Sequence, residues 1–460
     1  MIVVTTIKVY SGGVASGDSF QLSGGSLSKP SKEKLVPQST SDRQTRPWWT
    51  AIVSGMASYI DAAAIVSFGT AMVLYQSAIG LTPGEIGLAS GGLTFGIAFG
   101  AIFGGRLGDR FGRRPIFTIT MVLIIGSTIA LALAGSFPVI ISSAVVLGIA
   151  TGADLPVSLS TISEAASDEN RGKLIGFSHL LWASGIIVCS FLSAGVASMG
   201  RLGAQILFVH ITVVAALVLV GRLTIPESAT WLTARNERRR GVATVRADRA
   251  SIKDLLSVSY RTPFLGLLGF YALTNLAANT GGQFGSYLLV NAGGVDLQTA
   301  TLIGLPFIPL GIVGALWFMK IADSSKRFTY FTVGAICWVV SQLVYAVFGI
   351  SLATAIVAGL VGLVGTTFAF EGIMKVWTQE QFPTLLRTTA QGTIIAIARL
   401  FAAALATVTP LLVALSPNLF YLFLAIVIAV GCGLAWKVFR TRDGHNEFNS
   451  ETQDETVSVL

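Results

Sequence analysis

The chain has 460 residues and a formal net charge of +8, yet only 12% of it is charged, 53% is hydrophobic and its mean hydropathy is +0.72. A soluble domain carries about a quarter of its residues as Asp, Glu, Lys or Arg, so a water-soluble globule is excluded, and disorder and a collagen repeat with it. The 50 glycines suit helices packed closely in a bilayer and would weaken a soluble helical protein.

Apolar stretches long enough to span a bilayer, roughly 20 residues each, occur near 49–75, 85–105, 116–134, 138–163, 173–198 and 204–223. Six more follow near 263–290, 298–319, 328–350, 352–378, 389–414 and 418–439. The pattern predicts an all-α polytopic membrane protein of twelve transmembrane helices in two six-helix halves. Its expected parts are a disordered tail (1–47), a first bundle (48–223), a basic central loop (224–262), a second bundle (263–440) and a second disordered tail (441–460). The apolar start, 1–9, is too short for a cleaved signal segment. Cys189, Cys337 and Cys432 all fall inside apolar segments, so no disulfide framework is implied.

Lys and Arg concentrate in the tails and in the loops 105–115, 164–173, 224–262 and 320–327, while the opposite loops hold only Arg201. Cytoplasmic loops carry such an excess, so both termini are expected in the cytoplasm of a cell whose plasma membrane the chain crosses many times. The positive charge is then an orientation signal with some attraction to anionic lipid, and nucleic acid is not needed to explain it. Thr82, Pro83 and Glu85 form a capping signal at the start of the second span. Pro306 and Pro309 predict a kink in the eighth.

Between the second and third spans the chain reads Gly104-Gly105-Arg106-Leu107-Gly108-Asp109-Arg110-Phe111-Gly112-Arg113-Arg114-Pro115. Glycines allow a tight turn there, Asp109 can meet a helix N-terminus, and the arginines can pair with carboxylates. The segment resembles the signature loop of the major facilitator superfamily. A repeat supports the resemblance: six residues separate Glu164 from Arg171-Gly172 at the end of the fourth span, and six separate Glu380 from Arg387 at the end of the tenth. Together with Pro226-Glu227-Ser228 after the sixth span, this is similar to the sugar-porter and metabolite–proton symporter branch.

The resemblance implies a cytoplasmic gate of ion pairs. Glu164, Arg171, Glu380 and Arg387 are its expected members, with Gly105, Arg106, Asp109, Arg110, Gly112 and Arg113 from the signature loop. The corresponding loop 319–328 keeps Asp323, Lys326 and Arg327 without the glycines, so a smaller part is expected of Asp323. The branch's motif after the twelfth span has no counterpart in this sequence.

An ionisable group within the membrane costs at least a few kcal/mol and calls for a function and a partner. Asp61 stands in the first span, where the branch carries a proton-coupling Asp; Ala144 stands where it usually carries the partnering Arg. Asp154, in Gly152-Ala153-Asp154-Leu155-Pro156, is the equal candidate for proton coupling. In the second half, Glu371, Lys375 and Arg399 occupy a region in which sugar porters place aromatics, and a guanidinium suits a carboxylate. Asn275, Asn279 and Gln283 lie at i, i+4 and i+8 as a polar stripe on the seventh span, and with Glu371, Lys375 and Arg399 they are the candidate substrate-binding residues. Internal pairing of Glu371 with Lys375 is the competing reading.

No phosphate-binding Gly-x4-Gly-Lys loop, HExxH or Gly-x-Ser-x-Gly occurs, so neither ATP-driven pumping nor membrane enzymology is indicated. The resemblance implies a transporter with no cofactor, driven by the proton gradient. Its expected partners are a small polar substrate, the proton and the bilayer, and a monomer is expected. An organic acid or sugar acid taken up by symport is the preferred reading. A neutral sugar or polyol is the alternative, and a non-transporting metabolite sensor a remote one.

Overall fold

Each apolar run forms a helix, and the polar or proline-bearing breaks between runs set the ends. The computed structural model describes residues 47–166, 171–227, 232, 255–322, 324–382 and 384–443. The first half consists of α1 (Pro47–Ile79), α2 (Pro83–Phe111), α3 (Arg113–Leu133), α4 (Phe137–Ala165), α5 (Arg171–Val196) and α6 (Arg201–Leu223). The second consists of α7 (Arg261–Asn291), α8 (Leu297–Leu302), α9 (Phe307–Ile321), α10 (Arg327–Phe348), α11 (Leu352–Phe368), α12 (Glu371–Gln381), α13 (Thr384–Leu415) and α14 (Pro417–Phe439). Among the described residues ten segments are long and apolar enough to cross a membrane; α5, with a shorter apolar run at Leu180–Val196, and α7, with its amide stripe, complete the twelve.

Local chemistry explains the ends. Thr82 accepts from the Glu85 amide while Glu85 accepts from the Thr82 amide at 2.8 Å, the capping box expected at the head of α2. Asp296 caps α8 in the same manner, and hydrogen bonds from the Thr299 hydroxyl and amide hold its carboxyl below the usual carboxylate range. The eighth span is interrupted rather than kinked: α8 and α9 are separated by 303–306, ending at Pro306, which has no amide proton to continue the ladder. The tenth span is also in two pieces, a break the sequence did not announce. It falls at Ala369 and Phe370, where the Phe370 ring turns inward to stack on Tyr271 (5.3 Å between centroids) and meet Trp338 edge-on (5.2 Å). The N-terminus of α12, with Glu371 in its first turn, thereby begins inside the bundle.

The halves meet through α2 with α13, α1 with α7 and α5 with α8. The closest approaches lie toward the face opposite the chain ends: a Cβ on Gly91 would collide with Thr407 Oγ1, and one on Gly69 with the Gln283 carbonyl. Gln283 crosses the same seam, donating to the Ser90 carbonyl and accepting from the Thr94 hydroxyl, both at 3.1 Å. This face is closed. Gly91→Leu should therefore keep it from closing, because overpacking a tight seam costs about 1–3 kcal/mol, roughly tenfold or more in the equilibrium between states. Solute counterflow should fall by that factor, and a Gln283→Cys reporter in the same background should label faster with a membrane-impermeant maleimide; unchanged labelling refutes the seam.

Candidate functional site

Two clusters of polar side chains stand apart from the apolar packing. One runs through the middle of the bundle, and the other along the face that carries the chain ends.

The central cluster starts at Asp61, 2% exposed on α1. Its carboxylate accepts a hydrogen bond from Trp182 of α5 and lies within electrostatic reach of Arg399 on α13, while Oδ1 has no hydrogen-bond partner. Arg399 also lies within electrostatic reach of Tyr271 on α7, whose hydroxyl takes a hydrogen bond from Asn275 one turn further along. Asn275 Oδ1 is the second buried acceptor without a partner in this cluster. Glu371, at the head of α12, acts on Tyr271 as well and pairs with Lys375 at 2.6 Å, both side chains about two-fifths exposed. Asn279 donates to Gln283 Oε1 at 3.4 Å, so the outer end of the amide stripe joins the seam.

The structure thus brings together Asp61, Asn275, Glu371, Lys375 and Arg399 of the residues singled out from sequence, and adds Trp182 and Tyr271. Two expectations change. Lys375 is not a free cation for an anionic solute, because Glu371 neutralises it one turn away; in this state Gln283 closes the seam instead of presenting its amide to a solute.

Asp154 belongs elsewhere. It is 1% exposed and forms a two-pronged pair with Arg222 of α6: Nη1 meets Oδ1, and Nη2 meets Oδ2 at 2.8 Å. Thr120 of α3 donates to Oδ1 at 2.8 Å, Arg222 Nη2 reaches Ser158 Oγ at 2.9 Å, and the guanidinium lies 4.4 Å over the Phe117 ring. Every charge in this network has its partner inside the first half, and Asp154 thereby ties α3, α4 and α6 together.

The second cluster repeats itself. Glu227, just past α6, accepts from the backbone amides of Arg113 (2.9 Å) and Arg114 (3.2 Å), capping α3, whose N-cap, Gly112 (φ 105°), has no side chain to do so. Arg113 Nη2 then reaches Glu164 at the end of α4 at 2.8 Å. In the second half Arg327 opens α10, grips Glu380 at the end of α12 with both Nη atoms (2.6 and 2.7 Å), and reaches Asp443 past α14 at 2.7 Å through Nε. Trp377 donates to the same Asp443 oxygen at 3.0 Å while stacking on Phe439. Glu380 and Asp443 each follow their first-half counterparts, Glu164 and Glu227, by 216 residues.

Arg327 makes the second-half loop's ion pairs among the described residues. Two expectations are corrected by this geometry. Asp443 was assigned to a disordered tail but is bonded into the bundle, supplying the carboxylate that the sequence lacked in motif form. Arg110 is exposed and lies over Phe111 (5.4 Å), so it takes no part in these pairs. Asp323 and the side chains of Gly105, Arg106, Asp109, Arg171 and Arg387 lie outside the described residues.

The comparisons agree with this architecture. The profile of the Major Facilitator Superfamily matches residues 48–407. The minor myo-inositol transporter IolF of Bacillus subtilis (strain 168) is 32% identical over 359 residues, covering 76% of this chain and 80% of that protein. The quinate permease of Neurospora africana is 33% identical over 136 residues, 28% of this chain and 25% of its own length. Among solved structures, the inward open conformation of the xylose transporter XylE from E. coli superposes with a TM-score of 0.67 at 17% identity, covering 84% of this chain and 95% of that one.

Proposed function

The chain belongs to the major facilitator superfamily and is a transporter of its sugar and metabolite type; on that premise we propose that it is a proton-coupled symporter taking up a small neutral polyol. One observation carries the substrate class. Asp61 Oδ1 and Asn275 Oδ1 are buried acceptors without partners, on either side of Arg399 and Tyr271. An unpaired buried acceptor costs free energy that a hydroxyl of the solute recovers, whereas a carboxylate brings no proton to offer it. Of the cations nearby, Lys375 already faces a carboxylate, Glu371, at 2.6 Å. The likeness to a myo-inositol transporter supports the same class.

An organic acid is the second reading, and Arg399 favours it: once Asp61 takes a proton, the guanidinium is free to bind a carboxylate. The Lys and Arg distribution puts both termini in the cytoplasm, which makes the closed face the outer one and uptake the direction read here. The working unit is taken as a monomer in the bilayer, with no cofactor.

Purified protein should melt at a higher temperature in excess myo-inositol and should not respond to quinate. A ligand that binds only the folded state adds about 2.7 kcal/mol at a hundredfold excess over Kd. Asn275→Leu should abolish the shift. Stabilisation by quinate, lost in Arg399→Gln, would establish the second reading instead.

A further inference from the structure

We infer that the outer face of the second half carries a site for one anionic phospholipid, whose acyl chain lies in a groove between α10 and α14 and whose phosphate meets Arg440 at the mouth of that groove.

The groove has a volume of about 310 Å3 and is lined by Phe331, Ala335, Ile336 and Val340 of α10 and by Gly433 and Trp436 of α14. It exists because Ala429 and Gly433, one turn apart on α14, leave unfilled the space beside α10: a Cβ on Gly433 would meet nothing within 4 Å. Ile336 and Val340 are 59% and 42% exposed, so the groove is open on its outer side, toward the acyl chains. It offers a polar solute little, since the Thr332 hydroxyl is spent on the Phe328 carbonyl at 2.9 Å and Cys432 is buried. From Phe331 to Val340 it runs roughly 14 Å along the helix, so its section is roughly 23 Å2, which admits a hydrocarbon chain and not a helix about 10 Å across.

The mouth lies at the face that carries the chain ends. Trp436 closes the groove there against Phe328, 6.3 Å between centroids, and Arg440, one turn on, lays its guanidinium 4.7 Å over the same indole. An indole at this level sits where aromatic side chains meet the headgroups. Arg440 and Lys437 are exposed, and no carboxylate pairs with either among the described residues; Asp443, three positions beyond Arg440, is taken by Arg327 and Trp377. A guanidinium stacked by its face keeps its edge N–H groups for a phosphate. The groove thus matches an anionic phospholipid in both its parts, chain and headgroup, whereas a zwitterionic lipid brings a cation of its own to the same place. With the termini in the cytoplasm, this is the leaflet in which anionic headgroups attract such cations. The lining helices also carry the second-half ion pairs, Arg327 one turn before Phe331 and Asp443 just past Arg440, so a lipid seated here braces that cluster.

The test is native mass spectrometry of the full chain, delipidated in detergent and titrated with phosphatidylglycerol or with phosphatidylcholine of the same chains. The wild type should hold a single phosphatidylglycerol more tightly than phosphatidylcholine, and Arg440→Gln should erase the preference, a loss of roughly fivefold for one cation beside a headgroup. Gly433→Leu, whose side chain enters only the empty groove, should weaken both lipids. Lys320→Gln is the control: it removes an exposed cation at the end of α9, which meets α10 through Trp317 and Tyr330, and Tyr330 lies two residues before Thr332 and so on the face opposite the groove. It should leave phosphatidylglycerol binding unchanged. Equal affinity of the wild type for the two lipids, or equal losses in Lys320→Gln and Arg440→Gln, overturns the site. Displacement of the lipid by glycerol 3-phosphate at the same concentration would show an anion site without a chain and overturns it too. So does a dimer that Gly433→Leu dissolves, which would give the groove to a second copy of this chain.

Discussion

Asp61→Asn should leave the protein folded, able to exchange solute, and unable to concentrate it. Asparagine keeps the shape of the side chain and its acceptor for Trp182, so the site at the centre of the bundle survives. It cannot carry a titrating proton. If one proton moves with one neutral solute, as proposed, a gradient of one pH unit and 100 mV supplies about 3.7 kcal/mol, enough for roughly five-hundredfold accumulation in the wild type. The variant should reach equal concentrations on both sides under the same gradient, while counterflow, which needs no net proton movement, continues at a rate within about tenfold of wild type. Accumulation by Asp61→Asn above the equilibrium level would remove this residue as the coupling group.

The fold was legible because each span announces itself twice, by an apolar run of bilayer length and by the charge that ends it. The Thr82 box, the Pro306 break and the end of α6 all lie within a few residues of where the pattern puts them. The break between α11 and α12 was not legible, since no proline or polar run marks it. It follows from Phe370 finding Tyr271, 99 residues back, and Trp338, 32 back, contacts that no local pattern encodes. Asp443 escaped for a related reason: a lone aspartate in a polar tail looks solvated until the Arg327 and Trp377 side chains are seen around it. Its one available signal was the interval of 216 residues from Glu227, the same as that between Glu164 and Glu380.

At the centre, residue chemistry pointed to the right helices but not to the right partners. Asp61, Arg399 and the start of the α7 stripe were visible as polar groups in apolar spans, and their convergence is a matter of tertiary placement. Asp154 carried the same signal as Asp61 and has different surroundings: it is paired, whereas Asp61 Oδ1 is not. The rule that a buried acid needs a partner was correct, and Arg222, at the end of the sixth span, was available to satisfy it. From sequence Arg222 has no assigned role, because a cation in the last turn of a helix suits a topological signal as well as a buried partner.

Asp154→Asn and Arg222→Gln should consequently each be among the most destabilising single changes in the chain. Both side chains are at most 2% exposed, so removing one leaves the other charged and buried, at a cost of about 3–5 kcal/mol. The loss should appear as poor yield and a steeply lowered melting temperature in detergent, with solute binding lost only in proportion to unfolded protein. Replacing both by apolar residues of similar size removes the charges together, and such exchanges are often neutral. In Asp154→Leu/Arg222→Met Thr120 keeps a partner, the Phe117 carbonyl at 3.1 Å, and Ser158 Oγ is the one hydroxyl that loses both of the partners it has here. The double variant should therefore regain most of the melting temperature and, decisively, accumulate solute with the proton gradient. A stable double variant that binds solute but no longer couples would return Asp154 to the proton path and break the division of labour between the two aspartates.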